Sequence, residues 1–314
     1  MPLSLRWQRR LERWRSSLSG AFRRQAAPAR PRLCPACGTL VGSTATKCHE
    51  CGASLSFSLA AASRSLSSLL PTESPVTYAV LGLNFLLFGI SVLATIHAVG
   101  SSRAPQGGLL GGINGQVLLR LGARQSLLIL GGQWWRLVVP MFLHGGVLHI
   151  AMNTWVLMDL GPQVEEVYGS ARYLFLYLAT GVASLAASTA WNLFAYGGYG
   201  IGIGASGALM GLIGLMLAIT TRRGGAYMRM VRGQLLRWVA YILVLGFVVG
   251  GIDNAAHIGG LAAGFLLGRV MVDREPMNST ERQRAYALGW LAALVVAASF
   301  AAMLVDYFRG LASR

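Results

Sequence analysis

The chain has 314 residues, of which 54% are hydrophobic and 12% are Asp, Glu, Lys or Arg, about half the charged share of an ordinary soluble domain. With a mean hydropathy of +0.54 and apolar residues gathered in blocks of bilayer length, a soluble enzyme, a disordered protein and a disulfide-stapled secreted module are excluded. The net charge of +16 suits membrane topology by its placement, so no nucleic-acid partner is expected.

Residues 1–30 read as a basic arm. Trp7, Leu11, Trp14, Leu18 and Phe22 recur at spacings of four and three, with Arg9, Arg10, Arg13, Arg15 and Arg23 largely between them. That pattern suits a helix lying on an anionic leaflet, and a disordered basic arm fits it equally. Residues 31–55 carry Cys34-Pro-Ala-Cys37-Gly38 and Cys48-His49-Glu50-Cys51-Gly52, two C-x-x-C-G knuckles ten residues apart. The pair predicts a zinc-ribbon-like module with a structural Zn²⁺ held tetrahedrally by Cys34, Cys37, Cys48 and Cys51, against a competing reading as redox dithiols. His49 is expected to face solvent. The ribbon would bind rather than catalyse, and would offer a cytosolic protein partner a surface. Residues 56–75 read as a linker.

Seven apolar blocks follow, at 76–99, 141–160, 171–195, 204–221, 237–251, 254–272 and 285–307. They predict an all-α membrane protein: a six-helix core over 76–275 and a seventh transmembrane helix with its tail over 276–314. Gly250-Gly251-Ile252-Asp253 makes a tight hairpin between the fifth and sixth blocks, and Arg-rich sequence before the first leaves no cleavable signal peptide in view. With the N-terminus cytoplasmic, 21 of the 27 Lys and Arg fall on the cytoplasmic side. The expectation is N-terminus in and C-terminus out, in the inner membrane of a bacterial cell.

Ionisable and amide side chains at membrane depth are costly and need a reason. Three groups of them begin the even-numbered blocks: His144-Gly-Gly-Val-Leu-His149-Ile-Ala-Met-Asn153, Gly204-Ala-Ser206-Gly207, and Asn254-Ala-Ala-His257. By the topology above they share one face of the membrane at similar depth. Gly204, Gly207, Gly211 and Gly214 line one side of block four, and Gly260, Gly264 and Gly268 continue the face of His257. Such stripes let helix backbones approach closely. Packing alone would explain them, but it would also bring Ser206 within reach of His257, which could take its proton and make it a nucleophile. His149 and Asn153, on one helix face, and the Ser206 backbone N–H would supply oxyanion donors. H-E-x-x-H and an intramembrane Asp pair are missing, which argues against metallo- and aspartyl proteolysis. Asp253 is placed in the exposed hairpin rather than in a triad, and His97 reads as a packing residue.

These three motifs resemble the rhomboid intramembrane serine proteases over roughly residues 75–275, with block seven as an addition that some members show. Trp135-Arg136 and Gly161-Pro-Gln-Val-Glu165-Glu-Val-Tyr168-Gly169 are similar to secondary signatures of that family. The resemblance implies Ser206 as nucleophile, His257 as general base, and His149, Asn153 and the Ser206 amide as oxyanion hole. His144, Gly204, Gly207, Trp135 and Arg136 would be supporting residues. It implies cleavage of membrane-anchored protein substrates in or near their transmembrane segment, with the lipid bilayer as medium and no cofactor for catalysis. A catalytically silent rhomboid-like scaffold or a transporter is the alternative. Met210 departs from the family, which often has an aromatic there to stack under the histidine.

Overall fold

The computed structural model describes residues 31–55 except 35, 36, 44 and 53, then residues 73–99 and 112–312. The basic arm and most of the linker lie outside the described residues. The chain divides into two compact units between Ala61 and Ala62.

In the first unit, β1 (Arg32–Leu33) pairs antiparallel with β2 (Leu40–Val41). The two knuckles close in the same way: the Gly38 N–H donates to the Cys34 carbonyl at 2.8 Å and the Gly52 N–H to the Cys48 carbonyl at 2.9 Å. Both glycines have positive φ, +79° and +67°, which only glycine adopts without strain. Cys34 and Cys48 are buried while His49 is exposed, as expected.

The second unit is helical. Its long helices are α1 (Pro75–Val99), α4 (Val147–Tyr168), α5 (Ser170–Tyr196), α6 (Ser206–Arg222), α7 (Ala226–Val248), α8 (Asn254–Val270) and α9 (Ser279–Ala312). Between α1 and α4 come α2 (Gly115–Arg120), β3 (Arg124–Gln125), α3 (Ser126–Leu130) and two 3-10 turns, Trp134–Leu137 and Val139–Phe142. β4 (Ile201–Gly202) follows α5 and pairs antiparallel with β3, Arg124 opposite Gly202. Among the described residues four helices, α1, α5, α7 and α9, are long and apolar enough to cross a membrane.

All seven apolar blocks form helices, with shifted boundaries. The second starts at Val147 rather than 141, because Pro140 sits in a 3-10 turn and Gly145-Gly146 separates that turn from the helix. The fifth starts at Ala226 rather than 237, since Arg229, Arg232 and Arg237 ride a helix that is mostly exposed along its length. His97 is exposed on α1, so the expectation that it packs is corrected.

Helix α6 is the axis of the core. It is apolar on every side and buried along nearly all of its length, as a helix surrounded by others must be. The small-residue stripes explain how its neighbours come so close. A Cβ at Gly260 or Gly264 of α8 would run into the carbonyl oxygens of Gly207 and Gly211 of α6. Gly207 also lies against Ser184, and Gly211 against Thr180, of α5, and Gly259 of α8 meets Ala187 of α5, so the three helices pack on one another. Elsewhere buried polar groups tie helix ends together. Glu165 on α4 accepts from the Val76 and Thr77 amides at 3.0 and 2.8 Å and from the Thr77 hydroxyl at 2.7 Å, capping α1. At the start of α9, Asn278 accepts from the Glu281 amide at 2.8 Å.

Candidate active site

Ser206 is the first residue of α6 and His257 lies in the first turn of α8. With those helices packed backbone to backbone, Ser206 Oγ stands 2.9 Å from His257 Nε2. His257 is 4% exposed, and its Nδ1 is buried without a hydrogen-bond partner. Among the described residues, nothing bonds to that nitrogen to orient the ring.

The third group comes from α4. A Cβ built on Gly204 would lie 2.6 Å from His149 Nε2 and 3.6 Å from Asn153 Nδ2, so both side chains converge on the backbone just before Ser206. Gly204 has φ +113°, a conformation and a space that only glycine fits. Its N–H donates to the Pro140 carbonyl at 2.8 Å, which anchors the approach to the serine. The Gly145 N–H points to His149 Nδ1 at 3.4 Å. A nitrogen that accepts there leaves the proton on Nε2, the atom facing Gly204. Asn153 Nδ2 is buried with no partner, a donor with spare capacity beside Ser206. The N-terminus of α6 adds free backbone N–H groups at the same spot.

The supporting residues fall into two groups. His144 is wholly buried and meets His149 edge-on, ring centroids 5.2 Å apart. Arg136 lies farther off, in the loop. Its guanidinium donates to the Leu119 and Ala123 carbonyls at 2.8 and 2.7 Å and approaches Asp306 of α9 at 4.0 Å. Trp135 packs beside it against the main core and meets Trp134 edge-on. Met210 is buried with Leu160, Ile213 and Leu235.

Asp253 corrects the expectation of an exposed hairpin residue. Its carboxylate is about one-third exposed, accepts from the Ala256 N–H at 2.9 Å and from the Ser188 hydroxyl, and faces Arg124 at 3.5 Å. It caps α8 without touching the His257 ring. Sequence reasoning missed Arg124 and Ser188 altogether: Arg124 sits in an aperiodic loop between Ala123 and Gln125, and Ser188 is one small residue among others in α5.

In the head, the four cysteine sulfurs lie within 4.8 Å of one another. Two pairs, Cys34–Cys51 and Cys37–Cys48, stand at 3.7 and 3.6 Å. Four thiolates about 2.3 Å from one tetrahedral ion would sit about 3.8 Å apart, close to the two pair distances, so the cluster could hold a metal ion. The Thr39 hydroxyl, 3.3 Å from Cys37 Sγ, pulls that thiol down to about 6, toward the thiolate a metal binds.

The family model described as the rhomboid domain matches residues 131–274. RHOMBOID-like protein 6, mitochondrial, of Arabidopsis thaliana is 31% identical over 219 residues, covering 63% of this chain and 69% of that protein. The chain belongs to the rhomboid family. Rhomboid protease GluP of Bacillus subtilis is 37% identical over 155 residues, 49% of this chain but 29% of that protein. Rhomboid protease AarA of Providencia stuartii is 30% identical over 170 residues, 48% of this chain and 60% of that protein. The chain thus spans well under two thirds of the length of several curated relatives. As a rhomboid with four bilayer-length helices it is a multi-pass membrane protein. The matched stretch holds all three polar groups of the site and stops short of α9 and the cysteine head.

Proposed function

We propose that this rhomboid is an intramembrane serine endopeptidase that cleaves membrane-anchored proteins in or near their transmembrane segment. The observation that carries the reading is the 2.9 Å approach of Ser206 Oγ to His257 Nε2, beside donors aimed at Gly204. In this reading Ser206 Oγ attacks the scissile carbonyl while His257 Nε2 takes its proton. The developing oxyanion is met by the Ser206 N–H, His149 Nε2–H and Asn153 Nδ2–H. His257 then protonates the leaving amine, and a water activated by the same ring hydrolyses the acyl-serine. His144 supports His149, Gly204 and Gly207 give the approach its shape, and Trp135 and Arg136 brace the loop between α1 and α4.

The arrangement proposed in the membrane is N-terminus cytoplasmic and C-terminus outside, in a bacterial inner membrane, with the site near the outer face. That follows from the basic residues. The ion proposed for the head is Zn²⁺, held by Cys34, Cys37, Cys48 and Cys51, which would fix the two knuckles and supply no chemistry to cleavage. A cytosolic protein is the partner proposed for that ribbon.

The test is a membrane-anchored reporter reconstituted with the protein. Wild type should release a product cut in or near the transmembrane segment, and Ser206→Ala none. A reporter left whole by wild type, under conditions where the protein is folded, favours the silent scaffold.

A further inference from the structure

We infer that Arg124 is a positioning residue that holds the Ser206 and His257 segments in register by clamping Asp253. The inference rests on the proposed serine chemistry for its consequence, but its geometry stands apart from it. Arg124 belongs to β3, whose partner β4 carries the chain through Gly202 to Ser206. Asp253 caps α8, four residues ahead of His257. The guanidinium therefore stands between the backbone leading to the serine and the backbone leading to the histidine.

The clamp is built, not incidental. Arg124 is 3% exposed and reaches Asp253 Oδ2 at 3.5 Å. The same carboxylate oxygen accepts from Ser188 of α5, and Oδ1 accepts from the Ala256 N–H at 2.9 Å. A second Arg124 nitrogen donates to Ser126 Oγ at 3.1 Å, and that hydroxyl lies 3.1 Å from Asn192 of α5. The space for the guanidinium exists because residue 202 is glycine: a Cβ there would lie 2.8 Å from Arg124 Nε and 3.0 Å from Nη2. A buried charge needs its partner, so the arginine pulls Asp253, and the helix start with it, toward β4. Reacting groups must be held to a fraction of an ångström, and a shift of about 1 Å can cost about 10²-fold in rate.

The experiment uses the full chain in proteoliposomes and compares wild type, Arg124→Gln, Arg124→Lys, Gly202→Ala and the Arg124→Gln/Asp253→Asn double variant. Two readouts are taken: the rate at which a fluorophosphonate labels Ser206, with kcat and KM on the anchored reporter, and amide hydrogen exchange over 201–206 and 253–257. Arg124→Gln should lose about 10²-fold in labelling rate and kcat with KM little changed. Arg124→Lys, keeping the charge, should recover most of that loss. Gly202→Ala, which displaces the guanidinium while leaving its charge, should resemble Arg124→Gln. The double variant should be no worse than Arg124→Gln. Exchange should rise in both segments together, while amides around Gly211 and Gly264 stay protected. A labelling rate within twofold of wild type in both Arg124→Gln and Gly202→Ala, or exchange that rises in one segment alone, overturns the inference. Should Arg124→Gln not fold, Arg124→Lys and Gly202→Ala decide it. Should wild type prove unlabelled, the proposed activity fails, and the exchange measurement alone decides whether Arg124 couples the two segments.

Discussion

At the residue scale, the site depends on what each polar atom faces. Ser206→Ala removes the attacking oxygen and His257→Ala the base, and among the described residues nothing else stands where either could be replaced. Each should abolish reporter cleavage. Asn153→Ala should be milder, a loss of about 10²–10³-fold in kcat, because other donors remain. The His149→Ala/Asn153→Ala double variant should lose more than either single change. His257 accepts a proton only when neutral, so the rate should fall as the pH is lowered through the pKa of its ring and recover on return. A rate independent of pH across that titration would contradict His257 as base. Asp253 does not reach the His257 ring, so Asp253→Asn should fall far short of the loss of about 10⁴-fold that follows when a triad carboxylate becomes an amide.

At the element scale, the site depends on α6 lying against α8. The glycine stripes were legible in the sequence because three- and four-residue spacings put small residues on one helix face, and the structure places them at backbone contact. The three polar groups were legible for a related reason: His149 with Asn153, and His257 with Gly260, Gly264 and Gly268, obey the same helical spacing. The stretch between α1 and α4 was not. Its short helices, 3-10 turns and two-residue strand carry no period of their own. They are set by distant partners: the Arg136 guanidinium on the Leu119 and Ala123 carbonyls, and β3 paired with β4. Arg124 and Asp253 were missed as a pair for the same reason, since nothing local announces a salt bridge between a loop and a helix cap. Gly264→Val tests the packing. Its side chain would collide with the Gly211 carbonyl, so the variant should lose about 1–3 kcal/mol of stability and label more slowly at Ser206. A thermal midpoint equal to wild type would contradict the close α6–α8 contact.

At the scale of the whole molecule, the cysteine head and the rhomboid bundle are separate units, and α9 is an addition beyond the matched family domain. Helix α9 is nonetheless bonded into the bundle: Asp306 faces Arg136 and accepts from Gln133 at 3.3 Å, and Phe300 meets Phe142 with ring centroids 5.6 Å apart. Asp306→Ala should therefore lower the thermal midpoint without removing a group from the site, and labelling of the folded protein should persist. Deleting residues 1–60 should leave labelling intact, since every site residue lies beyond them. Residues 30–55 alone should bind one equivalent of Zn²⁺ and gain structure as they do so, because in so small a module the metal supplies the folding free energy. Metal analysis of the reduced protein that finds none would contradict the ribbon. For topology, a reporter active only outside the cytoplasm should work after Arg314 and fail within residues 222–235.

The central claim is that Ser206 is a nucleophile activated by His257. It is tested most directly by treating native membranes with a fluorophosphonate and locating the adduct by peptide mass spectrometry. One adduct should form in the bundle, on Ser206, readily in wild type and suppressed in His257→Ala. An unmodified Ser206 in folded wild-type protein, or an adduct that forms equally fast in His257→Ala, would contradict it.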